Sequence, residues 1–204
     1  MSFTIGIRRE DKNKWERRVS ITPEHVKELK EKHGINTIVQ PSEIRIFKEE
    51  EYKKNGATIS EDLKDANVVF AVKEIPSTFF QKNKTYVFFS HTIKGQDYNM
   101  PMLKKMMELG CNLIDYERIA DEKGRRLVFF GRYAGIAGMI DTLWAFGKRL
   151  EWRGIKTPFG EIKKTIDYNS LEDAKNHIRY IGQKIKEEGI PESLSPIVIG
   201  FAGY

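Results

Sequence analysis

The stretch Val68-Val-Phe-Ala-Val-Lys-Glu74 and the stretch Thr85-Tyr-Val-Phe-Phe-Ser-His91 decide the fold of this chain. Both are apolar at nearly every position and rich in valine and aromatic residues, a composition that favours β-strands covered on both faces. Such strands are typical of parallel sheets with helices packed on each side. Both stretches end on polar residues, so we expect two parallel strands with Lys73, Glu74 and His91 at their carboxyl ends.

Other short apolar runs alternate with segments of helical spacing along the chain. The predicted strands comprise residues 3–8, 35–40, 68–72, 85–90, 113–116, 127–130 and 197–201. The predicted helices comprise residues 23–32, 100–109, 135–153 and 171–188, and residues 153–169 are interpreted as a linker or extended arm. This alternation predicts an α/β fold, a Rossmann-like and largely parallel sheet with helices on both faces.

Length and composition limit the classes of protein to consider. With 204 residues and 40% hydrophobic side chains, the chain is long enough for one large globular domain, or for one domain with an appendage. Its longest uncharged stretch, residues 193–204, is shorter than the roughly 20 residues that a membrane-spanning helix requires. Residues 1–7 contain no apolar signal core before Arg8-Arg9, so we expect a cytoplasmic protein without a membrane partner.

The excess of 35 basic over 29 acidic residues raises the question of nucleic-acid binding. Arg125, Arg126 and Arg132 flank aromatic residues, but the glycine and aromatic pattern of RNA-stacking modules is missing, so no nucleic-acid partner is predicted. Cys and His do not cluster with zinc spacing, and acidic residues do not gather as in a calcium loop, so no metal is predicted. The single cysteine, Cys111, is interpreted as a buried structural thiol.

Ligands of an open parallel sheet bind outside the carboxyl ends of its strands, where several polar side chains are expected here. Lys73 and His91, at adjacent strand ends, can act as an acid/base pair, because mutual repulsion and partial burial favour the neutral lysine amine. Nearby carboxylates oppose that effect. Arg18 and Lys94 can hold the carboxylate groups of a substrate. Ordinary solvated side chains at the strand ends are the alternative interpretation.

The last residues, Pro196-Ile-Val-Ile-Gly-Phe-Ala-Gly-Tyr204, are an apolar run that ends in glycines. The first strand of a dinucleotide-binding domain enters its phosphate loop in this way, which makes Gly203 a candidate cofactor-binding residue. That fingerprint needs further glycines and a following helix. A C-terminal edge strand is therefore the alternative.

Several motifs, in one order along the chain, resemble a known family. Ile5-Gly-Ile-Arg-Arg-Glu10 and Trp15-Glu-Arg-Arg-Val-Ser-Ile-Thr-Pro23 closely resemble the opening of the alanine dehydrogenase and transhydrogenase N-terminal domain superfamily. Resemblance to the lysine-ketoglutarate reductase and saccharopine dehydrogenase family is carried by Ala71-Val-Lys-Glu-Ile-Pro76, Phe88-Phe-Ser-His-Thr-Ile-Lys94, Leu113-Ile-Asp-Tyr-Glu117, Gly124-Arg-Arg126 and Phe130-Gly-Arg-Tyr-Ala-Gly-Ile-Ala-Gly138. The similarity covers nearly all of the chain.

The resemblance implies a nicotinamide-dependent oxidoreductase that forms or cleaves saccharopine, with lysine and 2-oxoglutarate as the amino acid and the 2-keto acid. It implies that Lys73 and His91 are the acid/base catalysts. It also implies that Arg18 and Arg126 hold substrate carboxylates. An alanine dehydrogenase-like domain and a non-catalytic module that binds an amino acid or a keto acid are the alternatives.

The resemblance further implies that Glu74 and Glu117 lie beside the catalytic groups and tune their proton affinity. Residues 1–134 are then a substrate and catalytic domain, 135–153 a long interdomain helix, 154–195 a linker and helix, and 196–204 the first strand of a truncated dinucleotide-binding domain. NAD or NADP is expected to bind the full-length parent through the missing cofactor domain, and neither is expected to bind this fragment, which we expect to be inactive alone.

Self-association is expected from the long helix. Ile136, Ile140, Leu143 and Trp144 recur at helical spacing and are predicted to form an apolar face that packs on another domain or subunit. A homo-oligomer is the resulting prediction.

Overall fold

The computed structural model describes residues 3–202, and the chain divides between Phe129 and Phe130 into two compact units. The first unit contains a six-stranded sheet in which neighbouring strands pair in parallel. Its strands are β1 (Thr4–Ile7), β2 (Asn36–Val39), β3 (Thr58–Ile59), β4 (Val68–Phe70), β5 (Thr85–Phe88) and β6 (Asn112–Asp115). The predicted Rossmann-like α/β fold is confirmed.

The order of the strands across the sheet is β3-β2-β1-β4-β5-β6. β2 and β3 lie successively further from β1 toward one edge of the sheet, and β5 and β6 lie successively further from β4 toward the other edge. The sheet therefore has a topological switch point between β1 and β4. In open α/β sheets, the ligand-binding crevice lies outside the carboxyl ends of the strands at such a point.

The helices of the first unit are α1 (Pro23–His33), α2 (Glu49–Lys54) and α3 (Met100–Glu108). The Thr22 side chain accepts a hydrogen bond from the His25 backbone N–H, Pro23 occupies the first turn, and Gly34 ends α1 with a φ of 65°. The helix predicted for residues 23–32 is thereby confirmed at both ends.

Alternation along β1 shows that both faces of the sheet are buried. Ile5 packs in one apolar cluster with Val26 of α1. Gly6, next to it, faces a second cluster, which includes Met102 and Met106 of α3. Because the helices supply apolar side chains to both clusters, each face of the sheet is removed from water.

The second unit is helical. It contains α4 (Gly131–Trp152) and α5 (Leu171–Glu188), with short 3-10 helices at Pro158–Glu161 and Thr165–Asp167 between them. Phe159 and Ile162, from the segment predicted as a linker or arm, are buried with Leu150 and Ile181 of the two long helices. That segment is therefore packed into the core of its unit rather than extended.

The apolar residues of α4 differ from expectation. Ile140 is buried, and Leu143 and Trp144 are partly buried against the core of the same unit. The expectation that these side chains form an open apolar face is wrong for Ile140, because the segment after α4 folds back onto the helix. Homo-oligomer formation stays a prediction.

Two predicted strands are wrong. Residues 127–130 form no strand. Leu127 makes only a local contact, because its N–H donates to the Ile119 carbonyl at 2.9 Å, beside an isolated antiparallel bridge between Ala120 and Arg126. Residues 197–201 form no strand, since no described strand lies beside them to satisfy a ladder of backbone hydrogen bonds. Gly203 lies outside the described residues.

Two short elements, β3 and α2, were not predicted. They are two and six residues long, which is too short for periodicity to identify.

A membrane span requires both sufficient length and sufficient hydropathy of a helix, and none of the helices of residues 3–202 meets both requirements.

Candidate functional site

The crevice at the switch point is bordered by polar side chains that follow four strands. Arg8, Arg9 and Glu10 follow β1, Lys73 and Glu74 follow β4, Ser90 and His91 follow β5, and Asp115, Tyr116 and Glu117 lie at the end of β6. Because the strands are parallel, their carboxyl ends meet at one edge of the sheet. The loop between β1 and α1 adds Lys12, Glu16 and Arg18.

Glu10 connects the two central strands at the switch point. Its buried carboxylate accepts the backbone N–H of Val72 at 2.7 Å through Oε1 and that of Lys73 at 2.9 Å through Oε2. Burial raises the pKa of Glu10 above its usual range, although the two backbone N–H groups oppose the rise. The segment that carries Lys73 is thus tied to the end of β1.

Glu16 and Arg18 form a bidentate ion pair beside Lys73. Arg18 donates from Nε to Oε1 of Glu16 at 2.7 Å and from Nη2 to Oε2 at 2.6 Å. Glu16 is buried, which opposes its ionisation, but the Arg18 guanidinium, with a further contribution from Lys73, holds the pKa of Glu16 below its usual range. The pair fixes the orientation of the Arg18 guanidinium. Because Arg18 is half-exposed, this guanidinium still meets solvent.

His91 is held by Glu74. The imidazole Nδ1 lies 3.0 Å from Oε1 of Glu74, and Nζ of Lys12 lies 2.7 Å from the same oxygen. Burial opposes ionisation of Glu74, but Lys12 and His91 together hold the pKa of this carboxyl below its usual range. His91 also adopts a φ of 52°, in the left-handed region that non-glycine residues rarely occupy. Such backbone strain is concentrated at functional sites.

Asp115 joins the ends of β5 and β6. It accepts hydrogen bonds from the backbone N–H and the hydroxyl of Ser90 through Oδ2, and from the Glu117 N–H at 2.8 Å through Oδ1. Ser90 directly precedes His91. The buried Asp115 carboxylate therefore holds the backbone after β5, which carries His91, and the backbone after β6, which carries Glu117.

Arg126 is placed by a tight turn. Asp121 accepts the backbone N–H of Lys123 at 3.0 Å and that of Arg125 at 2.8 Å, and Gly124 takes a φ of 76°. The turn brings the half-exposed Arg126 to within 3.8 Å of Oε1 of Glu117. This contact is longer than a hydrogen bond, which leaves the guanidinium able to meet another carboxylate.

Tyr116, between Asp115 and Glu117, has a hydroxyl that is largely removed from water. Burial raises the pKa of Tyr116 to about 12, against a smaller opposing effect of the Ser20 hydroxyl. Tyr116 stacks at a tilt on Phe89, with 4.9 Å between ring centroids. Phe89 also stacks on the ring of His91, with 6.3 Å between the ring centroids, so the two aromatic rings extend from Tyr116 to His91.

The structure places several of the predicted site residues in contact in pairs. Glu74 contacts His91, and Glu117 approaches Arg126. Lys73 is next to Glu74 and acts electrostatically on Glu16. The acid/base pairing of Lys73 with His91 stays a prediction.

Lys94 is the exception. It is exposed, in a turn closed by the hydrogen bond from Gly95 N–H to the Thr92 carbonyl, and within residues 3–202 it makes no ion pair or hydrogen bond with the other candidates. The described residues also hold no group of three or more His, Cys, Asp or Glu side chains that suits a metal ion.

Sequence reasoning missed Glu10, Lys12 and Glu16. Glu10 follows β1 and would have been found by applying the strand-end rule to that strand as well as to β4 and β5. Lys12 and Glu16 lie in an irregular loop, whose path over the crevice depends on tertiary contacts that no local pattern reports.

The chain is similar to known proteins over most of its length. The model of the family described as alanine dehydrogenase/PNT, N-terminal domain, matches residues 6–137. The chain is 38% identical over 199 residues to alpha-aminoadipic semialdehyde synthase, mitochondrial, of Rattus norvegicus, an alignment that covers 98% of this chain and 21% of the rat protein. It is 33% identical over 153 residues to saccharopine dehydrogenase (NAD(+), L-lysine-forming) of Neurospora crassa, covering 72% of this chain and 41% of that protein.

A solved structure is also similar. An L-alanine dehydrogenase superposes with a TM-score of 0.59 at 25% sequence identity, covering 74% of this chain and 42% of that one. The chain thus spans about a fifth of the length of the rat relative and less than half of the other two.

Proposed function

Because the chain belongs to the alanine dehydrogenase/PNT N-terminal domain family, we propose that it is the substrate domain of a nicotinamide-dependent oxidoreductase that forms or cleaves saccharopine. The observation that carries the proposal is the contact at the switch point in which Glu74, the residue after Lys73, holds His91. The identity to a relative named saccharopine dehydrogenase (NAD(+), L-lysine-forming) supports the choice of saccharopine and lysine, and we assign 2-oxoglutarate as the keto acid that completes the reaction.

Binding of these substrates requires cations, because lysine carries one carboxylate and 2-oxoglutarate carries two. Arg18 is fixed in direction by Glu16, and Arg126 is only loosely paired with Glu117. Arg8 and Arg9, which follow β1, are instead paired with Asp11 and Glu61. A planar guanidinium can bind a carboxylate through two hydrogen bonds. We assign the carboxylates to Arg18 and Arg126, with Lys94 as an exposed third cation near the entrance.

The reaction needs several proton transfers. The ε-amine of lysine must lose a proton before it attacks the ketone carbon, and the carbinolamine oxygen must gain one as it leaves as water. The resulting imine then accepts a hydride at carbon, and a proton on nitrogen gives the secondary amine. We assign these protons to Lys73 and to Nε2 of His91, since Nδ1 of His91 faces Glu74.

The hydride is the one contribution that we assign outside this chain. A nicotinamide cofactor supplies it, and the residues from 3 to 202 include no glycine-rich loop that joins a strand directly to a helix and would cradle a pyrophosphate. We therefore place NAD or NADP on a separate dinucleotide-binding domain and define the complete enzyme as this chain together with that domain. Titration of the chain alone with NADH or NADPH is expected to show no binding tighter than roughly millimolar.

An alanine dehydrogenase-like function is the second candidate, favoured by the likeness to a solved L-alanine dehydrogenase. A domain that only binds an amino acid or a keto acid would use the same crevice without turnover. The expected cytoplasmic location also stays a prediction, and the name of the rat relative includes the word mitochondrial.

Calorimetric titration of the chain with saccharopine, 2-oxoglutarate, lysine, pyruvate and alanine tests the proposal. We expect saccharopine and 2-oxoglutarate to bind and to compete with one another. Arg126→Ala should weaken both by about 10-fold or more, whereas the adjacent Arg125→Ala, an exposed side chain paired with Asp121, should not. Preference for pyruvate and alanine would favour the second candidate, and absence of binding by any of the five would overturn both enzyme assignments.

A further inference from the structure

We propose that Glu10 is a positioning residue that holds the backbone of Lys73 in place for proton transfer. This inference rests on the proposed function, since it assigns to Glu10 a role in the same reaction. Glu10 does not contact substrate in this assignment. It acts through the two backbone N–H groups that its carboxylate binds.

The position of Glu10 in the sheet makes such a contact necessary. The pairing of β1 with β4 ends at Ile7 and Phe70, and its last backbone hydrogen bond runs from the Arg8 N–H to the Phe70 carbonyl at 2.8 Å. Among the described residues, no further main-chain hydrogen bond joins these two strands beyond this point. The next backbone donors on the β4 side, Val72 and Lys73, no longer have a main-chain acceptor on β1.

The Glu10 side chain accepts the hydrogen bonds that the main chain of a neighbouring strand would otherwise accept. On the other side of the same segment, β5 continues to pair, because the Phe89 N–H donates to the Val72 carbonyl at 3.1 Å. The segment is therefore held by main chain on one side and by a single carboxylate on the other. Removal of that carboxylate leaves two N–H groups without an acceptor at the point where Lys73 begins.

A carboxylate is the side chain that suits this task. Its two oxygens both accept hydrogen bonds, at 2.7 and 2.9 Å here, from two consecutive N–H groups. Glutamine has nearly the same shape, but its amide nitrogen is a donor and would face one of the two N–H groups. Aspartate keeps both acceptors on a shorter side chain. Glu10 also interacts electrostatically with Arg8, Glu16 and Arg18, so loss of its charge changes the electrostatic environment of these three groups.

Amide hydrogen exchange on this chain and turnover of the complete enzyme together test the proposal. In Glu10→Gln, we expect the Val72 or Lys73 N–H to exchange at least about 10-fold faster than in the wild type, while the N–H groups of α1 keep their rates. We expect kcat to fall by about 10²-fold with little change in KM, because a misplaced acid/base group slows the chemical step. Glu10→Asp should recover part of both losses, and Glu43→Gln, an exposed control, should change neither.

Three results would overturn the proposal. Unchanged exchange at both Val72 and Lys73 in Glu10→Gln would show that the carboxylate does not hold this segment. Faster exchange with wild-type kcat would show that the segment does not position a catalytic group. Equal effects of Glu10→Asp and Glu10→Ala would show that the two acceptors are not what matters. If the wild-type enzyme turned over no saccharopine, the proposed function would fall, while the exchange rates would still decide whether Glu10 holds Lys73.

Discussion

Glu74 holds His91 through a contact of 3.0 Å between its Oε1 and the imidazole Nδ1. The same oxygen lies 2.7 Å from Nζ of Lys12, so one nearly buried carboxylate serves two basic partners. Because Nδ1 is engaged, Nε2 is the ring nitrogen that remains for a substrate. The arrangement is typical of a histidine whose orientation and tautomer are set by a carboxylate.

Loss of the Glu74 charge should reduce stability in a pH-dependent way. Lys12 and His91 hold the pKa of Glu74 below its usual range against the opposing effect of burial. Its stabilising contribution is therefore present above the unfolded pKa of about 4.3 and is lost as the pH falls through the lower, folded value. We expect Glu74→Gln to lower the free energy of unfolding by about 1–2 kcal/mol near pH 7, and by much less near pH 3.

Urea denaturation at the two pH values measures this difference. Glu122→Gln, an exposed carboxylate in the turn before Arg125, is the control and should show little change at either pH. An equal loss of stability for Glu74→Gln at both pH values would contradict the prediction, since the effect would then come from packing rather than from the charge.

Arg18→Ala should have two separable effects. It removes a proposed substrate ligand, and it also leaves the buried carboxylate of Glu16 without its bidentate partner. We expect a loss of stability of about 1–3 kcal/mol and a weaker affinity for saccharopine.

The double variant Arg18→Ala/Glu16→Gln separates the two effects. Stability should return in large part, because the buried charge is gone, but the affinity for saccharopine should stay low. Thermal unfolding and calorimetric titration of the wild type, both single variants and the double variant provide the comparison. Recovery of affinity together with stability would show that Arg18 serves only to neutralise Glu16.

The parts of the fold that could be predicted from sequence are those with a strong local signal. β4 and β5 are continuous apolar runs, and α5 lies between Ser170, whose side chain caps its start, and Gly189, which follows its end. The aromatic run at residues 127–130 gave the same local signal as a strand, but a strand also needs a partner in the right place. Glu10 was missed because the strand-end rule was applied to later strands and not to β1, and Glu16 was missed because it lies in a loop of irregular path.

Two glycines of α4 should respond in opposite directions to replacement by alanine. A Cβ atom at Gly147 would lie 2.2 Å from the carbonyl oxygen of Phe159, so the segment after the helix can approach only a glycine. A Cβ atom at Gly138 would meet nothing within 4 Å. We expect Gly147→Ala to destabilise the second unit by about 1–3 kcal/mol, and Gly138→Ala to be neutral or to stabilise it by up to about 1 kcal/mol.

Thermal unfolding, monitored by circular dichroism, compares the melting temperatures of these two variants with that of the wild type. Since both positions are in the same helix, the comparison cancels the effect of helix propensity. A normal melting temperature for Gly147→Ala would show that residues 158–161 do not pack on α4 as the structure has them.

Replacement of the two proposed acid/base groups is the most direct test of mechanism in the complete enzyme. Lys73→Met and His91→Gln keep approximate size but remove the titrating group, and loss of one general acid or base typically slows a reaction by ~10²–10⁴-fold. We expect each variant to lower kcat by at least ~10²-fold with a modest change in KM, and to remove one limb of the pH-rate profile. Lys82→Met and His33→Gln, both exposed, are the matched controls and should retain normal kinetics. Near-normal turnover with both pH limbs intact in Lys73→Met and His91→Gln would mean that these residues are ordinary solvated side chains at two strand ends, and the catalytic assignment would then be withdrawn.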